Sequence, residues 1–136
     1  MIYRHAYDTD MRIFAAGTHM HHVGVSMDIQ HIPSAEPASS ECLVGTPEWD
    51  FYQQRTFAYD QPVDELPVVQ PGDELHLNCL YDNTLDNPAL AASLAEQGLG
   101  QPVDVTLGDE TRDEMCLGVF GVLVTPWQID QFLVAR

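Results

Sequence analysis

Three of the six histidines fall within four positions of the stretch GTHMHHVG, as His19, His21 and His22. On an extended strand, side chains two apart share a face, so His19 and His21 project together while Met20 and His22 point the other way. Two adjacent imidazoles make half of a metal site suited to zinc, copper, nickel or iron, and a soft third donor narrows the choice towards copper. Two surface histidines on an exposed strand give the same pattern. A candidate third donor stands in GDETRDEMCLG, where Met115 follows Glu110, Asp113 and Glu114 and opens a long apolar run. Its thioether is expected at a strand mouth, although spacing alone leaves plain core packing as the ordinary use of such a methionine. His5, His31 and His76 stand alone and read as ordinary surface or core residues.

Other residues near these strings have two readings each. Trp49, Phe51, Tyr52 and Phe57 form the aromatic stretch WDFYQQRTF, either sandwich core with an exposed residue or two, or a substrate contact beside a metal. Glu110, Asp113 and Glu114 read as a solvated turn, with one of them able to orient a ligand histidine. No pair stands out as a general base. Cys42, Cys79 and Cys116 include no CxxC pair, which argues against a structural zinc knot or a thioredoxin-type site and leaves room for one disulfide and one odd thiol.

The elements that must position these residues read mostly as short strands. RIFAA (12–16) is a strand closed by Gly17, and HMHHVGVSMDI (19–29) a second. HIPSAEPASS (31–40) has the composition of a loop. CLVG, QRTFAY and VDELPVV are short apolar pieces between turn residues. Pro71-Gly72-Asp73 is a turn, after which Leu75, Leu77 and Cys79 alternate with His76, Asn78 and Leu80, putting His76 opposite the buried set. PALAASLAEQ (88–97) is a short helical insertion, with Pro88 at its start and Gly98 at its end. VDVTL and a turn at GDETRDE follow. The run from Met115 to Thr125, ended by Pro126, is rich in β-branched residues and glycine and is expected as a central strand. The fold class is therefore all-β, an antiparallel β-sandwich of jelly-roll-like form with one helical insertion near 88–97.

At 136 residues the chain is expected to be a single domain, 1–136. Apolar residues make up 45% of it, enough for a core despite 21 acidic against 5 basic residues. All the basic residues are arginine, and the formal net charge is −16. Such a surface repels nucleic acid and anionic membrane and attracts cations. It also suits solubility in a salty milieu. No window approaches the roughly eighteen apolar residues of a membrane span. The opening MIYRHAYDTDMR has no apolar run of the signal-peptide kind, which a processed secreted chain would also lack.

The strings GTHMHHVG, LNCLYDN and GDETRDEMC, in that order, resemble the second domain of the copper type II, ascorbate-dependent monooxygenases. This group contains peptidylglycine alpha-hydroxylating monooxygenase and dopamine beta-monooxygenase. The CLVGTPEWDFYQQ segment and the YDN ending are closest in style to its bacterial members. The likeness runs from about residue 12 to about 125. It implies a domain that holds one oxygen-activating copper ion through a His-x-His pair and a methionine, here His19, His21 and Met115, with His22 left out. The donor set agrees, since a thioether favours Cu(I). The resemblance also implies a disulfide between Cys79 and Cys116, which would hold Met115 in place and indicates an oxidising, secreted or periplasmic compartment. Cys42 is left over.

The family's enzymes have an earlier domain in which three histidines hold a second copper, and this chain has no room for it. Its spare histidines, His5, His22, His31 and His76, are too scattered to rebuild that site. The expected function is the oxygen-activating half of a monooxygenase that hydroxylates an aliphatic C–H. Its partners would be molecular oxygen, a small-molecule or peptide substrate, and a second copper domain upstream or on another chain. The alternative is a stand-alone copper-binding or copper-handling module.

Overall fold

The computed structural model describes residues 1–124, so Thr125 and Pro126 at the end of the apolar run lie outside it. In chain order the elements are β1 (Ile2–Arg4), β2 (Met11–His19), β3 (Gly24–Ile32), β4 (Glu41–Thr46), β5 (Thr56–Ala58), β6 (Val68–Val69), β7 (Glu74–Tyr81), α1 (Pro88–Glu96) and β8 (Leu117–Leu123). One sheet has the order β1-β7-β3-β4; in the other, β2 pairs with β5, β6 and β8. Every pairing between strands of the described residues is antiparallel. The two sheets stack, giving a mostly β, sandwich-like arrangement with one helix.

Alternation in β7 follows the sequence pattern. Leu75 and Leu77 are 2% and 6% exposed, while His76 between them donates its Nε2–H to Glu74 Oε2 at 2.8 Å. Their apolar side chains meet Ile13, Met20, Met27, Ile29 and Val69 between the sheets. Burial of each such side chain contributes about 1.5–3 kcal/mol.

Three expectations are corrected. Gly17 does not close a strand: β2 runs through it, and a Cβ there would stand 2.8 Å from Thr56 Oγ1, so glycine is what lets β5 pair this closely. Both expected strands exist with a shifted boundary: the first runs on to His19, and the second begins only at Gly24, after a turn. Residues 31 and 32 belong to β3 rather than to a loop, because the His31 ring is buried against Asp73. As far as the described residues go, the apolar run forms an edge strand rather than a central one. Among the described residues β8 pairs with β2 alone, and a Cβ on Gly121 would meet the Phe14 ring at 2.6 Å. VDVTL forms no strand and makes only a bridge between Leu107 and Glu114.

The helix reads out as its flanking residues require. Asn87 caps α1, its Oδ1 accepting from the Ala89 and Leu90 amides, and Gly98 leaves it at φ +71°. Leu90 and Leu94 pack on Val23, which brings the helix against the turn between β2 and β3. Asn87 Nδ2 donates to His22 O at 3.0 Å and so ties the same turn to the helix start. No helix among the described residues is long and apolar enough to cross a membrane.

Candidate metal centre

His19 ends β2, where it pairs with Leu117 of β8; His21 and His22 lie in the turn beyond. Strand alternation does not place them on one face, since His21 lies beyond the end of β2, yet their rings are adjacent. Those of His19 and His21 lie 5.2 Å apart, centre to centre, edge to face. Met20, between them, is fully buried in the core.

Each imidazole is fixed by an oxygen on its Nδ1 side. His19 Nδ1 donates to Gln54 Oε1 at 2.6 Å, and that amide is oriented by its own Nε2 donating to Phe51 O at 2.9 Å. His21 Nδ1 donates to the carbonyl of Asp113 at 2.9 Å. Both acceptors offer only lone pairs, so the hydrogen of each neutral ring sits on Nδ1 and the Nε2 lone pair is left over. No described residue hydrogen-bonds either Nε2, and neither atom is sealed in the interior. This is the tautomer that an Nε2 metal ligand requires, with the far nitrogen oriented by an oxygen.

Met115 arrives from the other chain segment. Glu114 is buried, and its Oε1 accepts from the amides of both His21 (2.6 Å) and Met115 (2.9 Å), while Oε2 accepts from Val23 N at 3.3 Å. A single carboxylate oxygen therefore sets the Met115 backbone beside that of His21. Tyr81 donates its hydroxyl to Met115 O at 3.1 Å. Burial, then the charge of Glu114, pushes the Tyr81 phenol up, which keeps it a donor. Cys79 of β7 and Cys116 form a disulfide with Cα atoms 6.0 Å apart, joining the two sheets next to Met115. Cys42 is a free, exposed thiol.

Aromatic rings close round the histidines. Trp49 lies 6.4 Å from the His19 ring and donates Nε1–H to His21 O, and Phe51 lies 6.0 Å from the His21 ring. The stretch follows the first of its two readings: Trp49 packs against the core, while Tyr52 and Phe57 are exposed. His22 is buried against Phe51, with ring centres 4.1 Å apart, the same ring that packs on His21. Burial, then the neighbouring His21, lowers its pKa, with Glu114 and Glu96 opposing.

The other histidines are engaged elsewhere. His5 Nε2 meets Thr9 O, His76 meets Glu74, and His31 stands between Asp73 at 2.8 Å and Glu41 at 3.2 Å. Among the described residues no group of three or more His, Cys, Asp or Glu side chains is placed to hold a metal. His19 and His21 thus stand as a pair, with no third His, Cys, Asp or Glu donor beside them among the described residues. Sequence reasoning missed Gln54, Tyr81 and the burial of Glu114, which belongs to no solvated turn. No residue-type pattern marks them, since their partners are backbone groups or a distant ring. No protein family model matches the chain, and no curated protein matches it.

Proposed function

We propose that this chain binds one copper ion, as Cu(I) or Cu(II), through His19 Nε2, His21 Nε2 and the Met115 thioether. It is then the oxygen-activating half of a copper-dependent monooxygenase that hydroxylates an aliphatic C–H. The observation that carries this reading is the pair of adjacent imidazoles, each with an oxygen at Nδ1 and, among the described residues, no hydrogen bond at Nε2. The likeness of GTHMHHVG, LNCLYDN and GDETRDEMC to the copper type II monooxygenases supports it, together with a jelly-roll-like reading of the sandwich.

Bound copper supplies the one-electron and oxygen chemistry. The chain's residues do the rest. Gln54 and Asp113 O orient the imidazoles, and Glu114 with the Cys79–Cys116 bridge holds the Met115 backbone beside them. Trp49 and Phe51 exclude water from the histidines' flanks. The substrate is a small molecule or peptide, and the disulfide supports a secreted or periplasmic setting.

The test is anaerobic Cu(I) titration followed by copper-edge X-ray absorption on wild type and Met115→Ala. One copper per chain with nitrogen and sulfur scatterers, the sulfur lost in the variant, is the expected result. Absence of stoichiometric copper, or a sulfur shell indifferent to the substitution, sinks the reading.

A second reading, a copper-binding module without hydroxylase activity, is favoured by the engagement of His5, His31 and His76 with Thr9, Asp73 and Glu74. Those residues assemble no second copper site. Ascorbate-driven oxygen consumption that appears only with a second, histidine-bearing copper domain supports the monooxygenase half; none under either condition supports the module.

A further inference from the structure

His22 Nδ1 is buried and has no hydrogen-bond partner among the described residues. An unpaired buried ring nitrogen is costly, and such atoms are normally satisfied by protein or by ordered water. The same residue lines a cavity of about 20 Å³ between the histidine turn and α1. One water needs on the order of 10–15 Å³ of this kind of space, so the cavity has room for one and for little else. Val23, Leu90 and Leu94 supply apolar walls, and Ser93, Gln97, Asn83, Thr111, Arg112 and Asp113 supply polar groups. Ser93 is itself buried, and its Oγ accepts from Gln97 Nε2 at 3.0 Å. Its own hydroxyl proton meets no acceptor among the described residues.

We propose that this cavity is a binding site for a single ordered water that accepts the Ser93 hydroxyl proton and donates to His22 Nδ1. His22 then carries its hydrogen on Nε2, the reverse of His19 and His21. The consequence is a division of labour inside GTHMHHVG. Two histidines present a bare Nε2, while the third turns its lone pair inward and serves as a water-linked strut between the turn and the helix. This complements the direct bond from Asn87 Nδ2 to His22 O, so that side chain and backbone of His22 are both tied to α1. Neither the cavity nor the orphaned nitrogen depends on copper.

The test uses the metal-free, full-length protein in alkaline buffer, where the imidazoles are neutral. Long-range ¹H–¹⁵N correlation reads each tautomer, and water-selective NOE spectra read bound water. The expected result is His22 with a pyridine-type Nδ1, His19 and His21 with pyridine-type Nε2, and negative water NOEs to the methyls of Val23, Leu90 and Leu94. Protonation of His22 at Nδ1 overturns the proposal. So does a dry cavity, seen as no long-lived water NOE together with xenon-induced shifts of those same methyls.

Discussion

Glu114 is held by backbone amides rather than by a cation. Three N–H groups, from His21, Val23 and Met115, converge on its two oxygens. Glu114→Gln would replace one acceptor oxygen with an NH₂ that faces donors, and each buried amide left unpaired costs about 1–3 kcal/mol. Urea denaturation of E114Q should therefore show a loss of at least about 1 kcal/mol, and Cu(I) affinity should fall with it; unchanged stability would mean that the amides find other partners. Asp73 is a second buried carboxylate, with a different consequence. Burial alone would raise its pKa, but the Ser34 amide, the His31 ring and the Gln70 amide outweigh this and hold it at about 2, below the ordinary 3.8. A folded pKa below the unfolded one gives stability that is complete above the unfolded value and lost as pH falls through the folded one. The difference is worth about 2 kcal/mol. Acid titration should thus show this share lost between about pH 4 and pH 2, and Asp73→Asn should flatten that part of the curve. Residue types made His19, His21 and Met115 visible in the sequence. The fates of His31 and Glu114 were hidden, because each is buried through partners tens of positions away.

At the scale of elements, the disulfide and the helix cap do separate work. The Cys79–Cys116 bridge spans 37 residues and joins β7 to the segment entering β8. Chain-entropy arguments put such a loop at about 4 kcal/mol. Cys79→Ser with Cys116→Ser should lower unfolding free energy by about 2–5 kcal/mol in denaturant melts, and the copper absorption spectrum should lose sulfur order more than nitrogen order. Asn87→Ala removes a helix cap and the bond to His22 O together, so its cost should exceed the usual cap value of about 1 kcal/mol. Thermal melts compared with Asn87→Asp, which keeps the capping oxygen, separate the two parts. Alternation made β7 legible, and Pro88 with Gly98 made α1 legible. β2 was not, because Gly17 reads as punctuation in sequence and serves as a close-approach point in the sheet.

For the whole molecule, the net charge of −16 sets the conditions under which the rest operates. Self-repulsion among carboxylates opposes the compact state and is screened over roughly 10 Å at 0.1 M salt. The melting temperature should rise as sodium chloride is added from low ionic strength, and a temperature indifferent to salt would show that the charges are already spread or paired. A mostly β arrangement of antiparallel sheets with one helix was readable from the many short strands and the Pro–Gly-bounded insertion, while the pairing of β8 was not, since strand order is a long-range property.

That pairing sets a timetable for folding. β2 lies near the start of the described chain and β8 near its end, with Arg12 set against Leu123 and His19 against Leu117. Such distant partners meet late, since loop closure must precede the contacts that reward it. On a ribosome β3, β4 and β7 can associate while β8 is still being made, and β2 must wait with one side unpaired. The Glu114 bonds to the His21 and Met115 amides should accordingly be among the last to gain protection in pulse-labelled hydrogen exchange during refolding, and early protection of the His21 amide would refute this order.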